Sequence, residues 1–88
     1  SIEVGVIETW TNAIQIYPNP TMDYFYIHNS AQGLSEFEVW DGQGRVVLKG
    51  VVYFNVPVKV ESNDWASGVY WVRVTQDGLT HHSRMIKE

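Results

Sequence analysis

Apolar and polar residues alternate with period two along most of the chain. Such alternation is typical of antiparallel strands that have one buried face and one solvated face. No stretch of about eleven residues carries the 3.6-residue period of an amphipathic helix. The short spacing of the alternating runs predicts a small all-β sandwich of about seven strands. The predicted strands cover residues 13–17, 24–28, 36–40, 45–49, 52–60, 69–75 and 79–87.

Glycine-containing segments separate several of these strands. Residues 41–44 and 76–78 contain the Asp-Gly pairs that favour hairpin turns, since glycine adopts positive φ without strain. Residues 62–68 form the longest connection. Pro57 interrupts the run 52–60, and because proline cannot donate to a ladder it indicates an edge strand, a bulge or a break into two strands.

The sequence Pro18-Asn19-Pro20 separates the first two alternating runs. Both prolines fix φ and remove a backbone donor, and each favours an extended conformation in the residue before it. We therefore predict a rigid extended corner that continues neither a strand nor a helix. It is either a stiff structural corner or a pre-ordered surface feature that a partner recognises at low entropic cost.

The composition indicates one globular domain. The 88 residues are 44% hydrophobic and 14% aromatic, which excludes disorder, and they include no cysteine. The net charge of −4 argues against a nucleic-acid partner. Residues 1–12 are predicted to be a linker, with a possible extra strand at the alternating Ile2, Val4 and Val6. Because residue 1 is Ser and no signal peptide is present, we expect the chain to be cut from a larger protein.

The residues that support catalysis or metal binding do not form a recognisable site. There is no cysteine nucleophile and no G-x-S-x-G motif. His81 and His82 are adjacent on a predicted strand, so they point to opposite faces and cannot readily share a metal. The turns offer about one carboxylate each, too few for calcium. We expect no enzymatic activity, no metal and no cofactor.

The aromatic residues suggest an alternative function. Tyr24, Tyr26, Trp40 and Trp71 fall on the predicted outward sides of their strands. Exposed rings on a sandwich face can stack on sugars or anchor a protein. They can equally line a second core or cover the ends of a small sandwich. A carbohydrate- or protein-binding module of a cell-surface protein is therefore one hypothesis for the function of this domain.

Five motifs, taken in order, resemble the C-terminal sorting domain (type A) of the type IX, or Por, secretion system. They are Tyr-Pro-Asn-Pro at 17–20, the mixed aliphatic and aromatic strand 24–28, the Asp-Gly turn and following basic residue within 39–47, the Gly-x-Tyr strand within 65–74, and the basic strand 83–87. Together they cover residues 13–88. One departure is Arg84, where the family usually has lysine, and the two side chains present their donors differently.

The resemblance implies an immunoglobulin-like sandwich at 13–88 that directs a preceding cargo protein across the outer membrane. Residues 1–12 would then contain or adjoin a cleavage region. The implied partners are the outer-membrane translocon and the sortase and shuttle proteins, and the implied location is the surface or exterior of a Gram-negative bacterium. The domain would be removed by a surface sortase. The implied sorting motif comprises Pro18, Asn19, Pro20, Gly68, Tyr70, Arg84 and Lys87.

Roles for these residues follow as hypotheses. Gly68 would permit a turn, and Tyr70 would anchor the core with its hydroxyl on a loop. Arg84 and Lys87 would be read on an accessible last strand, because sheet edges accept added strands. Removing residues 85–88 is then expected to block export with little loss of fold. The same edges predict a possible strand-swapped or edge-paired homodimer.

Overall fold

The computed structural model describes residues 13–88, and the linker or extra strand predicted within 1–12 lies outside the described residues. Seven strands are present within this range, as the alternation predicts. No helix within 13–88 is long and apolar enough to cross a membrane. The strands are β1 (Ile14–Tyr17), β2 (Tyr24–Asn29), β3 (Leu34–Trp40), β4 (Val46–Tyr53), β5 (Val58–Glu61), β6 (Gly68–Gln76) and β7 (Leu79–Lys87).

The strands form two antiparallel sheets. One sheet has three strands in the order β1-β2-β5, and the other has four in the order β4-β3-β6-β7. Consecutive strands cross between the sheets at β2–β3, β4–β5 and β5–β6, which is the Greek-key connectivity of immunoglobulin-like sandwiches. The predicted fold class is therefore confirmed.

The core lies between the sheets and is built from alternate residues of the central strands. Phe25 and Ile27 of β2 face Val39 of β3 and Val72 of β6, and all four are fully buried. Period-two alternation produces this arrangement, because every second side chain of a strand points to the same face. Met85 of β7 joins this cluster, so the last strand contributes directly to the core.

The predicted strand 52–60 is wrong as a single element. The structure joins residues 52 and 53 to the predicted strand 45–49 in the single strand β4, which ends at Tyr53, and then turns through residues 54–57 and starts β5 at Val58. Asn55 has a positive φ of 56° in this turn, and its backbone N–H donates to the carbonyl of Asn29 at 2.8 Å. Of the alternatives that Pro57 indicated, the break into two strands and the edge strand are both observed, because β5 lies at the edge of the three-stranded sheet.

A buried polar network closes one end of the sandwich. The Asn29 side chain donates to Ser35 Oγ at 2.8 Å and to Gln76 Oε1 at 3.1 Å, and Ser35 donates to the same Gln76 oxygen. The loop between β2 and β3 contacts this network at Gly33. Gly33 has a φ of 111°, and an added Cβ there would lie 2.4 Å from Gln76 Nε2. The positive φ favours glycine here, and a Cβ would also force the end of the Gln76 side chain to move.

Candidate recognition site

The Pro18-Asn19-Pro20 corner carries the chain from β1 towards the opposite sheet. Its three residues are exposed, and the Tyr17–Pro18 and Asn19–Pro20 peptide bonds are both cis. Tyr17 is extended, as predicted, at the end of β1. The corner itself is a tight bend, so the predicted extended corner is wrong. The bend is what places Asn19 beside β7, the last strand of the other sheet.

Asn19 and Thr21 bind the outer edge of β7 through four hydrogen bonds. Asn19 Nδ2 donates to the Arg84 carbonyl at 2.9 Å, and its Oδ1 accepts from the Ile86 N–H at 3.1 Å. The Thr21 N–H donates to the Ile86 carbonyl, and the Glu88 N–H donates to the Thr21 carbonyl, both at 2.8 Å. We call this contact between residues 19 and 21 and the end of β7 the clasp.

The clasp extends the four-stranded sheet by part of a strand. The Asn19 side-chain amide takes the place that a peptide group of a neighbouring strand would occupy, and Thr21 adds a true parallel bridge to Lys87. Thr21 is fully buried, and its hydroxyl donates to the carbonyl of Tyr24. Because β1 and β2 belong to the three-stranded sheet, the clasp joins the two sheets along one side.

The two basic residues predicted for recognition lie on different faces of β7. Arg84 pairs with Trp71 on the outer face and is exposed, and its side chain makes no hydrogen bond or ion pair within residues 13–88. Lys87 pairs with Gly68, is only 8% exposed, and donates from Nζ to the Glu88 carbonyl. Arg84 is therefore available to a partner, whereas little of Lys87 can be reached.

The end of β7 belongs to the fold as well as to the candidate site. Met85 is 0% exposed, and residues 85–87 complete the ladder with β6. This burial argues against the expectation that residues 85–88 could be removed with little loss of fold. Within 13–88, no backbone hydrogen bond reaches this edge of β7 ahead of Arg84, so only the first half of the strand has an open edge.

Gly68 and Tyr70 occupy the structural positions that the sequence suggested. Gly68 has a φ of 148°, which favours glycine, where the long loop enters β6. Tyr70 is buried, and its hydroxyl donates to the carbonyl of Ala66 at 2.7 Å. This hydrogen bond to a residue just upstream resembles the tyrosine corner of immunoglobulin-like sandwiches. Trp65 packs between Phe25 and Tyr70 and seals the same end of the core.

Replacing Tyr70 with phenylalanine is expected to lower the free energy of unfolding by about 1–2 kcal/mol, because the hydrogen bond to Ala66 is lost while the ring packing remains. Thermal unfolding followed by circular dichroism measures the change. Tyr53→Phe is the matched control, since the Tyr53 side chain is 57% exposed. Equal melting temperatures for the two variants would show that the Tyr70 hydroxyl contributes nothing.

The outward aromatic residues do not form one platform. Tyr24 and Tyr26 contact each other edge to face on the three-stranded sheet, whereas Trp40 and Trp71 are paired neighbours on the four-stranded sheet. Trp71 is 44% exposed and borders a shallow cleft of about 330 Å³. Arg73 lies over the Trp40 ring, 5.5 Å from its centroid.

Glu38 organises the polar part of the same face. It forms ion pairs with Arg73 and with Lys49, and accepts a hydrogen bond from Trp40 Nε1 at 3.2 Å. Desolvation raises the pKa of the Glu38 carboxyl, but the hydrogen bond and positive charge of Arg73, with smaller contributions from Trp40 and Lys49, together hold that pKa below its usual value. Arg73 is thus already occupied by a carboxylate.

The adjacent histidines point to opposite faces, as predicted. His81 lies on the inner side of β7, opposite Val74, and contacts Ser83 Oγ at 2.8 Å. His82 is exposed on the outer side, opposite Arg73. Desolvation, and then the nearby His82, lower the pKa of His81.

The clasp unites the Tyr-Pro-Asn-Pro motif with the last strand, and the Gly-x-Tyr strand is the other neighbour of that strand. Residues 15–88 match the family model described as secretion system C-terminal sorting domain. The chain belongs to this family. The sorting domain is therefore a type IX secretion signal, which implies export of an attached cargo to the cell surface or beyond in a Gram-negative bacterium. No curated protein matches the chain.

Thr21 is the part of the site that sequence reasoning missed. A threonine after a proline gives no sign that its backbone will pair with a strand near residue 86. The partner of Asn19 was also absent from the predictions, since a motif indicates that a residue matters and not what it binds.

Proposed function

We propose that the secretion machinery recognises the sorting domain at the clasp, with Arg84 as the exposed basic group that it reads. The observation that carries this proposal is the set of four hydrogen bonds that ties residues 19 and 21 to the end of β7. They combine two motifs from distant parts of the sequence into one surface. A partner that reads this surface distinguishes the folded domain from an unfolded chain that carries the same motifs.

According to this proposal, the domain is a substrate of the export pathway and not an enzyme. The outer-membrane translocon binds the folded sandwich, and the cargo that precedes it follows through the membrane. A surface sortase then cuts near the N-terminal side of the domain, within or beside residues 1–12. The exposure of Pro18, Asn19, Pro20 and Arg84 supports direct contact with a partner, since no refolding is needed to reach them.

Replacing Asn19 with alanine is expected to leave most of the cargo in the periplasm. The substitution removes both side-chain bonds to β7 but no core atom, so stability should fall by only about 1–2 kcal/mol. To measure this, residues 13–88 are fused to a fluorescent reporter and expressed in a host with this secretion system. The fluorescence at the cell surface is then compared with the fluorescence in the periplasm. Asn63→Ala, at an exposed loop asparagine, is the matched control.

Variants at Arg84 separate recognition from folding. Arg84→Glu is expected to abolish export, whereas Arg84→Lys should retain most of it because the charge is kept. Both variants should melt near the unaltered domain, since this side chain is exposed and makes no bond within 13–88. Normal export of folded Asn19→Ala and Arg84→Glu fusions would refute recognition at the clasp.

The cleft beside Trp71 favours a second candidate function, the binding of a carbohydrate or protein by the four-stranded face. A ring that is 44% exposed beside a cleft can stack on an apolar sugar face. Titration of soluble glycans, followed by tryptophan fluorescence, tests this function, with Trp71→Ala as the variant expected to lose the response. Binding that survives this substitution would exclude the cleft.

A further inference from the structure

Exposed apolar side chains are concentrated along β4. Within residues 13–88, twelve large apolar side chains are exposed, and seven of them lie on β4, in the turn after it, or directly opposite it on β3. Lys49 is the only charged residue within β4 itself. Exposed apolar residues scattered singly need no explanation, but a cluster along one strand indicates a contact surface. The seven are Leu34, Val46, Val47, Val51, Tyr53, Phe54 and Val56.

The edges at β1 and β5 and the end of β7 are protected by features that natural proteins use against strand addition, and the open first half of β7 is polar, with the sequence Thr-His-His-Ser at 80–83. The edge strands β1 and β5 have four residues each, β1 is followed directly by Pro18, and β5 follows Pro57 and carries the ion pair of Lys59 and Glu61. The end of β7 is covered by the clasp. In contrast, β4 has eight residues and no strand on its outer side within 13–88, where Val56 bridges only its last residue, Tyr53, and a bulge lies at Val47.

We infer that β4 is a self-association surface at which a second copy of this chain adds its own β4 in antiparallel orientation. This inference does not rest on the proposed function. Pairing the two edges would extend each four-stranded sheet into one continuous sheet of eight strands. A two-fold axis between the copies makes this contact closed, so it gives a dimer and not a fibre.

The side chains select one register for this dimer. Placing Lys49 opposite Lys49 of the second copy would set like charges face to face, which is destabilising. Moving the two-fold axis from Lys49 to Gly50, a shift of two residues in the pairing, places Gly50 opposite Gly50, and Lys49 then lies opposite Val51 of the second copy. In this register Val47 of the second copy approaches Tyr53 and Leu34 just beyond the last paired residues, so three exposed apolar side chains come together at each end of the contact.

Charges across the interface are also complementary in this register. Lys49 Nζ lies 3.6 Å from Glu38 of its own chain. Val51 pairs with Glu36 on β3. Lys49 of one copy would therefore lie in the same row as Glu36 of the other, with Val51 of that second copy between them. Each lysine is then placed between two carboxylates, and the acidic β3 residues stabilise the contact instead of repelling it.

Sedimentation velocity over micromolar to millimolar concentrations tests the inference on the 88-residue chain. We expect a concentration-dependent dimer, and Val51→Lys should weaken it about tenfold, because each new lysine lies opposite Lys49 of the second copy. Val69→Lys is the matched control, since Val51 and Val69 are each 40% exposed on the same sheet and only Val51 is on β4. Circular dichroism confirms that both variants are folded.

Cross-linking tests the register directly, since the chain has no cysteine of its own. A mixture of Val47→Cys and Tyr53→Cys chains should form a disulfide-linked pair on oxidation, whereas Val69→Cys with Tyr53→Cys should not. A chain that stays monomeric to millimolar concentration overturns the inference. A dimer that Val51→Lys and Val69→Lys weaken equally, or one that exchanges β7, also overturns it.

Discussion

A chain that ends at Arg84 is expected to lose its cooperative unfolding transition. Loss of residues 85–88 removes the fully buried Met85 side chain, and truncation of a core methionine alone costs about 2–5 kcal/mol. It also removes three of the four clasp hydrogen bonds and the pairing of β6 with Met85, Ile86 and Lys87. Domains are stable by only about 5–15 kcal/mol, and a chain this small lies towards the lower value.

Thermal and urea unfolding, followed by circular dichroism and tryptophan fluorescence, measure this loss. Glu88→Ala is the control, because it keeps the backbone N–H that donates to Thr21 and removes only an exposed side chain. Met85→Ala provides a graded variant that should remain folded with reduced stability. A truncated chain that still unfolds cooperatively near the normal midpoint would show that the tail serves recognition alone.

Asn29→Ala is expected to destabilise the domain by about 2–4 kcal/mol, although the residue is polar and adjoins a loop. The substitution removes two donations, to Ser35 and Gln76, and an acceptor for the Ala31 N–H at 2.8 Å. Asn29 is fully buried, so the remaining groups cannot all recover their bonds from water. For a domain of this size the melting temperature should fall by roughly 10–25 °C.

Differential scanning calorimetry provides the measurement, and Ser30→Ala serves as its neighbour control. Ser30 is exposed, and its hydroxyl makes only a long 3.5 Å contact with the Ala13 carbonyl. A change below about 1 kcal/mol for Asn29→Ala would contradict the network as a source of stability, because water would then be replacing the side chain without loss.

Local patterns predicted the fold well because a strand with one buried face shows alternating apolar and polar residues in its own sequence. The period-two runs identified the inward residues of β2, β3 and β6, such as Phe25, Val39 and Val72. Alternation failed at 52–60, where Phe54 and Val56 keep the apolar rhythm yet are exposed in and beside a turn. Hydrophobic identity alone could not show that these residues lie beside an edge strand instead of in the core.

The candidate site was predicted as a set of residues but not as an arrangement. The family motif named Asn19, Arg84 and Lys87, and only the structure shows that Asn19 binds β7 and that Lys87 is buried. Asn29, Ser35 and Gln76 were not identified, since polar residues near turns usually indicate exposure. The burial of Asn29 and Ser35 depends on hydrogen bonds to each other and to Gln76, which no local pattern records.

The clasp also sets an order in time. Asn19 hydrogen-bonds residues 65 and 67 positions further along, so its contacts cannot form until almost the whole domain has left the ribosome. A polypeptide that terminates anywhere before β7 lacks both the partner of Asn19 and the Met85 side chain. Such a truncated product would carry no finished sandwich, so export that depends on the folded domain would select fully translated cargo.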